Sequence, residues 1–223
     1  MSTKQRKENE KEARRTAIVA AAERLFAAKG FDGVTMDDVA REAGLAKGTL
    51  YLYFENKESL YVAVGVRGAE ILGEMMAQGV AREAKGIDKA YATGVAFYEF
   101  SKKYPFYFRM LMDAEPRCHS GDVGDAVRRE FAARNVESWK IVVAAVRAGI
   151  RDGTVRPDAE PLKTALFLIE SSKAMIKIPP GTFSAGGAGT TRDEVVYFTL
   201  DTLRHAIENR RGKPYEGIDS GWI

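Results

Sequence analysis

The sequence predicts an all-helical fold, and three observations carry the prediction. Apolar residues recur at three- and four-residue spacing through nearly every segment, alternating runs of the strand type are short and rare, and no proline interrupts the chain before Pro105. With 223 residues, 45% of them apolar, there is material for a packed core without staples. The one cysteine, Cys118, cannot form an internal disulfide, so a reducing cytoplasm is the expected compartment. Residues 1–15 are charged, unlike a secretory signal, and no apolar run approaches membrane-spanning length.

The elements can be justified in order. From Arg14 onward Ala17, Ile18, Ala21, Ala22, Leu25 and Phe26 share one helical face, and Lys29-Gly30 is a stop signal. Thr35 with Asp38 three residues later resembles a capping box, opening a second helix whose inner stripe is Met36, Val39, Ala40 and Ala43. Gly44-Leu45-Ala46 is a short glycine-led break. A third helix is predicted from about Lys47 to Phe54, and Asn56 caps a fourth that carries Leu60, Val64, Ile71, Met75 and Met76. That helix contains Gly65, Gly68 and Gly73, which either ease bending or admit a close neighbour. Further helices are predicted at about 88–103, 105–113, 123–151, 161–178 and 193–209. The glycine-rich stretch 181–191 reads as a loop and the tail 210–223 as poorly ordered.

The net charge of +3 is too small to argue for a nucleic-acid partner. Its distribution says more: residues 1–15 hold Lys4, Arg6, Lys7, Lys11, Arg14 and Arg15 against Glu8, Glu10 and Glu12, which reads as a basic arm or a solvated tail.

The segment TMDDVAREAGLAKGTLYLYFENKESL, Thr35 to Leu60, has the physics of a helix-turn-helix that reads a major groove. The second helix packs by its apolar stripe, the glycine turn sets the third across it, and Leu45, Leu50 and Phe54 pin the third from beneath. The outer face is then Lys47, Gly48, Thr49, Tyr51, Leu52 and Tyr53, with no acidic residue in the helix to repel phosphate. Lys47 and Lys57 can neutralise phosphates, and Gly48 lets backbone approach one. Tyr51 and Tyr53 offer hydroxyls, whereas Thr49 and Leu52 suit base edges, Leu52 through a thymine methyl. The helix openings at Thr35 and Asn56 suit a phosphate oxygen.

Ala43 to Phe54 followed by Lys57-Glu58-Ser59-Leu60, with its spacing from Phe26, Gly30, Thr35 and Val39-Ala40, resembles the signature of the TetR family of transcriptional regulators. The resemblance covers about the first sixty residues. It implies three N-terminal DNA-binding helices and a larger C-terminal helical domain for ligand binding and dimerisation. DNA contacts are implied at Thr35, Lys47, Gly48, Thr49, Tyr51, Leu52, Tyr53 and Lys57. Ala46 departs from the family's usual serine or threonine and removes a hydroxyl cap worth about 0.5–2 kcal/mol. The expected division is a basic arm at 1–15, the helix-turn-helix at 16–60, the ligand and dimer domain at 61–209, and a flexible tail at 210–223.

Past Leu60 the resemblance weakens and pattern takes over. Phe97, Tyr98, Tyr107, Phe108, Met110, Met112, Trp139 and Phe167, with Glu170, are candidates for a largely apolar effector cavity, although a plain core would look the same. Leu162, Ala165, Leu166, Ile169, Val196, Leu200 and Leu203 are spaced as the seam of a four-helix dimer bundle. A homodimer on a palindromic operator, repressing until a small molecule binds, is the expected function, with no cofactor, metal or membrane partner. A helical carrier or sensor that never touches DNA is the alternative. Enzyme chemistry finds little support. His119 and His205 are far apart in sequence, Cys118-His119 lacks an orienting third group, and Asp37-Asp38 sits where a helix dipole explains it.

Overall fold

The computed structural model describes residues 2–179, 181–182 and 189–210, and these residues form nine helices and no strand. In chain order they are α1 (Thr3–Lys29), α2 (Met36–Glu42), α3 (Lys47–Tyr51), α4 (Lys57–Ala81), α5 (Gly86–Lys103), α6 (Pro105–His119), α7 (Asp125–Arg151), α8 (Pro161–Ile176) and α9 (Arg192–Ile207). The expectations for most of the 181–191 loop and for the tail after Arg210 fall outside the described residues. No helix among those described is long and apolar enough to cross a membrane.

Two differences from the sequence reading concern helix length. The first helix begins at Thr3 rather than near Arg14, because Ser2 caps it: its side chain accepts a hydrogen bond from the Gln5 amide at 3.3 Å. Residues 3–14 have no apolar period to announce a helix, so only the cap and good helix formers mark it. The sixth helix likewise runs on to His119, past Pro116, where Asp113 had been the expected end.

The chain divides into two compact units, Met1–Met76 with Ala96–Lys140, and Ala77–Val95 with Ile141–Ile223. The first unit holds α1, α2, α3 and α6 with parts of α4, α5 and α7. Its core joins Ile18, Ala22 and Phe26 of α1 to Val34, Val39, Leu50, Phe54, Leu60, Tyr98, Phe100 and Met110, all almost wholly buried. In the second unit Ile87, Ala90, Ala145, Val146, Val155, Ala159 and Ile207 form one cluster. An antiparallel bridge between Val155 and Glu208 closes it, with the Asn209 amide donating to the Thr154 carbonyl at 2.9 Å.

Within the first unit the glycines of α4 act by close approach. A β-carbon on Gly68 would sit 3.2 Å from both the Tyr107 Cβ and its carbonyl oxygen, and one on Gly65 would sit 3.3 Å from the Ala114 Cβ. Backbone of α4 thus lies against backbone of α6. At Gly73 the nearest atom would be the Ser138 Oγ at 3.7 Å, an ordinary contact. These contacts set opposite signs for one substitution. Gly73→Ala should raise stability by about 0.5–1 kcal/mol by removing backbone freedom from the unfolded chain. Gly68→Ala should lower it, since overpacking costs about 1–3 kcal/mol. Thermal melts of the two variants measure the signs, and a stabilised Gly68→Ala would show that α4 and α6 are not locked at this point.

Candidate nucleic-acid interface

The site is built by fixing a very short helix across a slightly longer one. α2 starts with a full capping box. The Thr35 Oγ1 accepts the Asp38 amide at 3.2 Å, and the Asp38 carboxylate accepts the Thr35 amide at 3.0 Å and its hydroxyl at 2.6 Å. Those hydrogen bonds, the hydroxyl's first, hold the Asp38 carboxyl below its usual range. The turn that follows needs Gly44, whose φ of 66° is the left-handed region, and the Leu45 amide closes it on the Ala40 carbonyl at 2.8 Å. α3 then has Ala46 at its N-cap with no side-chain hydrogen bond, as the departure from serine or threonine implies.

Leu50 and Phe54 lie buried under α3, and Leu45 is half-buried. On the other side Lys47 and Gly48 are exposed, Tyr51 is 44% exposed and Leu52 is 81% exposed, while Thr49 and Tyr53 are half-buried. Among the described residues, and apart from its chain neighbours and its own helix backbone, nothing comes within 4 Å of where a Gly48 β-carbon would be, so packing there does not demand glycine. The helix is one turn shorter than expected, ending at Tyr51, with Leu52 and Tyr53 in the following turn.

The remaining candidates are placed as follows. Lys47 pairs with the exposed Asp37 carboxylate at 2.7 Å, a hydrogen bond that raises the ammonium's pKa. Asp37 belongs to the first turn of α2, so the absence of acids along α3 does not reveal it. Thr35 is exposed, but its hydroxyl serves the cap. Lys57 is turned inward: its ammonium donates to the Phe31 carbonyl at 3.0 Å and lies 4.1 Å from the Phe31 ring centroid.

Lys57 belongs to a cluster that sequence reasoning did not foresee. Tyr61 meets Phe26 and Phe31 edge to face, with centroids 5.2 Å apart for Phe26–Tyr61 and 5.0 Å for Phe31–Tyr61. The Arg117 guanidinium of α6 lies 4.0 Å from the Phe31 centroid and 4.8 Å from that of Tyr61. Nearby, the Asn56 amide group donates to the Asp122 carbonyl at 2.7 Å, its Oδ1 accepts the Ser59 amide at 2.8 Å, and Gly124 donates to the Ser59 hydroxyl at 2.8 Å. The loop after α6 is thereby fastened to the start of α4. The only advance signal was Asn56 as a cap.

Three of the six candidates in the aromatic stretch are buried in the core. Phe97, Tyr98 and Met110 are buried, Phe108 is half-buried with its ring 5.7 Å from that of Phe97, and Met112 is half-buried. The Tyr107 hydroxyl donates to Glu23 at 2.5 Å. A groove of about 510 Å³ does open between α6 and α7, walled by Phe131, Val136 and Trp139 and edged by Glu115, His119 and Arg128. Of the nine effector candidates only Trp139 lines it. In the second unit Phe167 is 50% exposed and Glu170 pairs with Lys173 at 2.9 Å. Of the residues expected in a dimer seam, Ala165, Val196, Leu200 and Leu203 are buried within the chain itself, Leu166 and Ile169 are half-buried, and Leu162 is 52% exposed. Periodicity marked the buried stripes of α8 and α9, which the helices use within one chain.

Residues 18–64 match the family model of bacterial regulatory proteins of the tetR family, a span that covers the capping box, the Gly44 turn and α3. Over this span the chain is similar to the tetR family. α2 and α3 both lie within the matched span. A relative known as the uncharacterized HTH-type transcriptional regulator YhgD of Bacillus subtilis strain 168 is 23% identical over 164 residues, 73% of this chain and 82% of that protein. Among solved structures, the ketosteroid transcriptional regulator KstR2 of Mycobacterium tuberculosis is 21% identical with a TM-score of 0.58, over 87% of this chain and 95% of that one. The transcriptional regulator FadR from Bacillus subtilis, in complex with stearoyl-CoA, is 16% identical with a TM-score of 0.63, over 86% and 99%. Both share the all-helical fold.

Two tyrosines of the first unit give the fold an alkaline signature. Burial pushes the Tyr61 phenol up from 10.0 to about 12, helped by the Asp113 carboxylate that accepts its proton at 3.0 Å; Tyr107 moves the same way through burial and Glu23. A phenol whose value rises on folding favours the folded state while it stays protonated, and that contribution drains away as pH climbs from about 10 to about 12. The Tyr61→Phe, Tyr107→Phe double variant should be less stable at neutral pH yet decline more gently above pH 10. Urea midpoints across that range test this, and a decline as steep as the parent's would rule it out.

Proposed function

We propose that this chain is a homodimeric repressor of the tetR family that binds a palindromic operator and leaves it when a small, largely apolar molecule occupies the C-terminal part of the chain. The observation that carries the reading is the open face of α3: Lys47, Gly48, Tyr51 and Leu52 stand exposed while Leu50 and Phe54 anchor the helix from below. An 81% exposed leucine beside an exposed tyrosine costs the free protein apolar hydration. That arrangement suits a surface whose burial comes from a groove lined by base edges. Thr35, Thr49, Tyr53 and Lys57 flank this face, with Lys57 able to act only if it leaves Phe31.

The functional division we propose is a basic arm at 1–15, the DNA reader at 16–60, an effector and dimer domain at 61–209, and a tail from 210. Effector binding is supported by the groove between α6 and α7 and by the stearoyl-CoA held by FadR, a regulator of similar fold. α6 forms one wall of the groove and packs on α4 at Gly65 and Gly68, so an occupant that shifts α6 also shifts α4. With half-sites about 34–36 Å apart, a small change in the spacing of two recognition helices releases the operator.

An operator selected from a random duplex library by the whole chain tests DNA recognition. Tyr51→Ala should weaken binding to all sequences together, while Leu52→Ala should change the preferred bases. Recovery of no enriched sequence would favour the carrier reading. The dimer reading predicts its own outcome. Phe198 is 72% exposed on the side of α9 away from its buried stripe, and Phe167 and Leu162 are half-exposed on α8. Phe198→Glu should shift sedimentation toward the monomer without lowering the melting temperature; a parent chain that already sediments as a monomer would remove the dimer from the proposal.

A further inference from the structure

The reading module is short of free positive charge. Residues 16–60 hold five basic and seven acidic side chains, a net charge of −2. Four of the five cations are engaged within the protein: Arg24 with Glu42 at 2.9 Å, Arg41 with Asp38 at 3.5 Å, Lys47 with Asp37 at 2.7 Å, and Lys57 with the Phe31 carbonyl at 3.0 Å. A DNA duplex carries one negative charge per about 1.7 Å of axis, and neutralising its phosphates supplies much of the binding free energy. A module of net negative charge is poorly equipped to do that alone.

The missing charge lies on the same helix that opens the module. α1 runs unbroken from Thr3 to Lys29, and every residue from Thr3 to Arg14 is exposed, a stretch of roughly 18 Å at 1.5 Å per residue. Within it Lys4, Lys7, Lys11 and Arg14 follow one another at intervals of three, four and three residues, which sets them in one line along a single helix face. None of the four takes part in an ion pair among the described residues, whereas Arg6, off the line, is paired with Glu10 at 3.0 Å. Because the helix is continuous into its buried half, where Ile18, Ala22 and Phe26 are locked in the core, the line is held in register with the module instead of trailing from it.

We propose that the line Lys4, Lys7, Lys11 and Arg14 is a phosphate-binding track for duplex DNA, which adds sequence-independent affinity to the sequence-reading face of α3. The proposal rests on the DNA-binding function argued above. An anionic membrane would attract the same charges, but residues 3–14 contain no Leu, Ile, Val, Phe, Trp or Met to bury in a bilayer, and a helix that lies on a membrane needs such a face.

The test compares the full-length chain with the variant Lys4→Gln, Lys7→Gln, Lys11→Gln, Arg14→Gln. Glutamine keeps helix propensity, and circular dichroism melts should coincide. Binding to a random-sequence duplex and to the library-selected operator is followed by fluorescence anisotropy over a series of NaCl concentrations. The slope of log affinity against log salt should become shallower by about 3–4 per chain, because each lost phosphate contact removes about 0.9. The preferred sequence should be unchanged. Should the four-fold variant not fold, Lys7→Gln with Lys11→Gln should still flatten the slope by about 2 per chain. A parent that binds DNA with a slope these substitutions leave untouched overturns the track and spares the regulator reading. A parent that retains no duplex at low salt overturns both.

Discussion

A five-residue helix cannot hold itself together, and the whole exposed face proposed as the reading surface depends on how this one is held. Isolated helices shorter than about 12–15 residues are marginal in water, and α3 lacks even a side-chain cap at Ala46. Its position is set by tertiary contacts alone: Leu50 and Phe54 inserted into the core beneath it, and the Gly44 turn fixing where it leaves α2. Because those two side chains carry the anchoring, Tyr51 and Leu52 can point outward without loss of structure. The same division explains why α2 has the complete capping box and α3 has none. α2 is the platform, and the Thr35–Asp38 box gives that platform a fixed start.

A second set of contacts ties this platform to the rest of the first unit. Arg117 stacks on Phe31 and Tyr61, Lys57 lies over the Phe31 ring as well, and the chain after α6 is fastened to the start of α4 through Asn56 and Ser59. Desolvated cation–ring contacts of this kind are worth up to about 2 kcal/mol each. Arg117 sits on α6 between Glu115 and His119, two residues at the edge of the groove. A shift of α6 large enough to admit a ligand therefore cannot leave the Phe31 corner undisturbed.

What the sequence made legible was local chemistry. Thr35 with Asp38, Gly44, Gly30 and the apolar stripes at three and four spacing placed the end of α1 and the starts of α2, α3 and α4 where they are, because caps and turns are decided by neighbouring residues. What it left hidden was partnership at long range. Periodicity shows which face of a helix is buried but not what buries it, so Val196, Leu200 and Leu203 looked equally suited to a dimer seam and to the packing they have within the chain. Lys57 read as a surface lysine since nothing near it in sequence reveals Phe31 beneath its ammonium. The aromatic run from Phe97 to Met112 could be core or cavity by composition alone; burial of Phe97, Tyr98 and Met110 assigns that part to core.

The two halves of α1 show how one helix can serve two physical ends. Its C-terminal half presents Ile18, Ala22 and Phe26 to the core, and the cationic line of its N-terminal half continues along that same side of the helix, because intervals of three and four residues keep one face throughout. Apolar residues on that face hold the module together where protein covers it. Where the helix outruns the protein, the face turns cationic. On the proposed function, a surface of small, aromatic and aliphatic side chains would discriminate between bases but neutralise few phosphates, and more free lysines within α3 would strengthen binding to every sequence alike. In the proposed arrangement, charge on a rigid extension outside the reading face would separate the strength of binding from its selectivity.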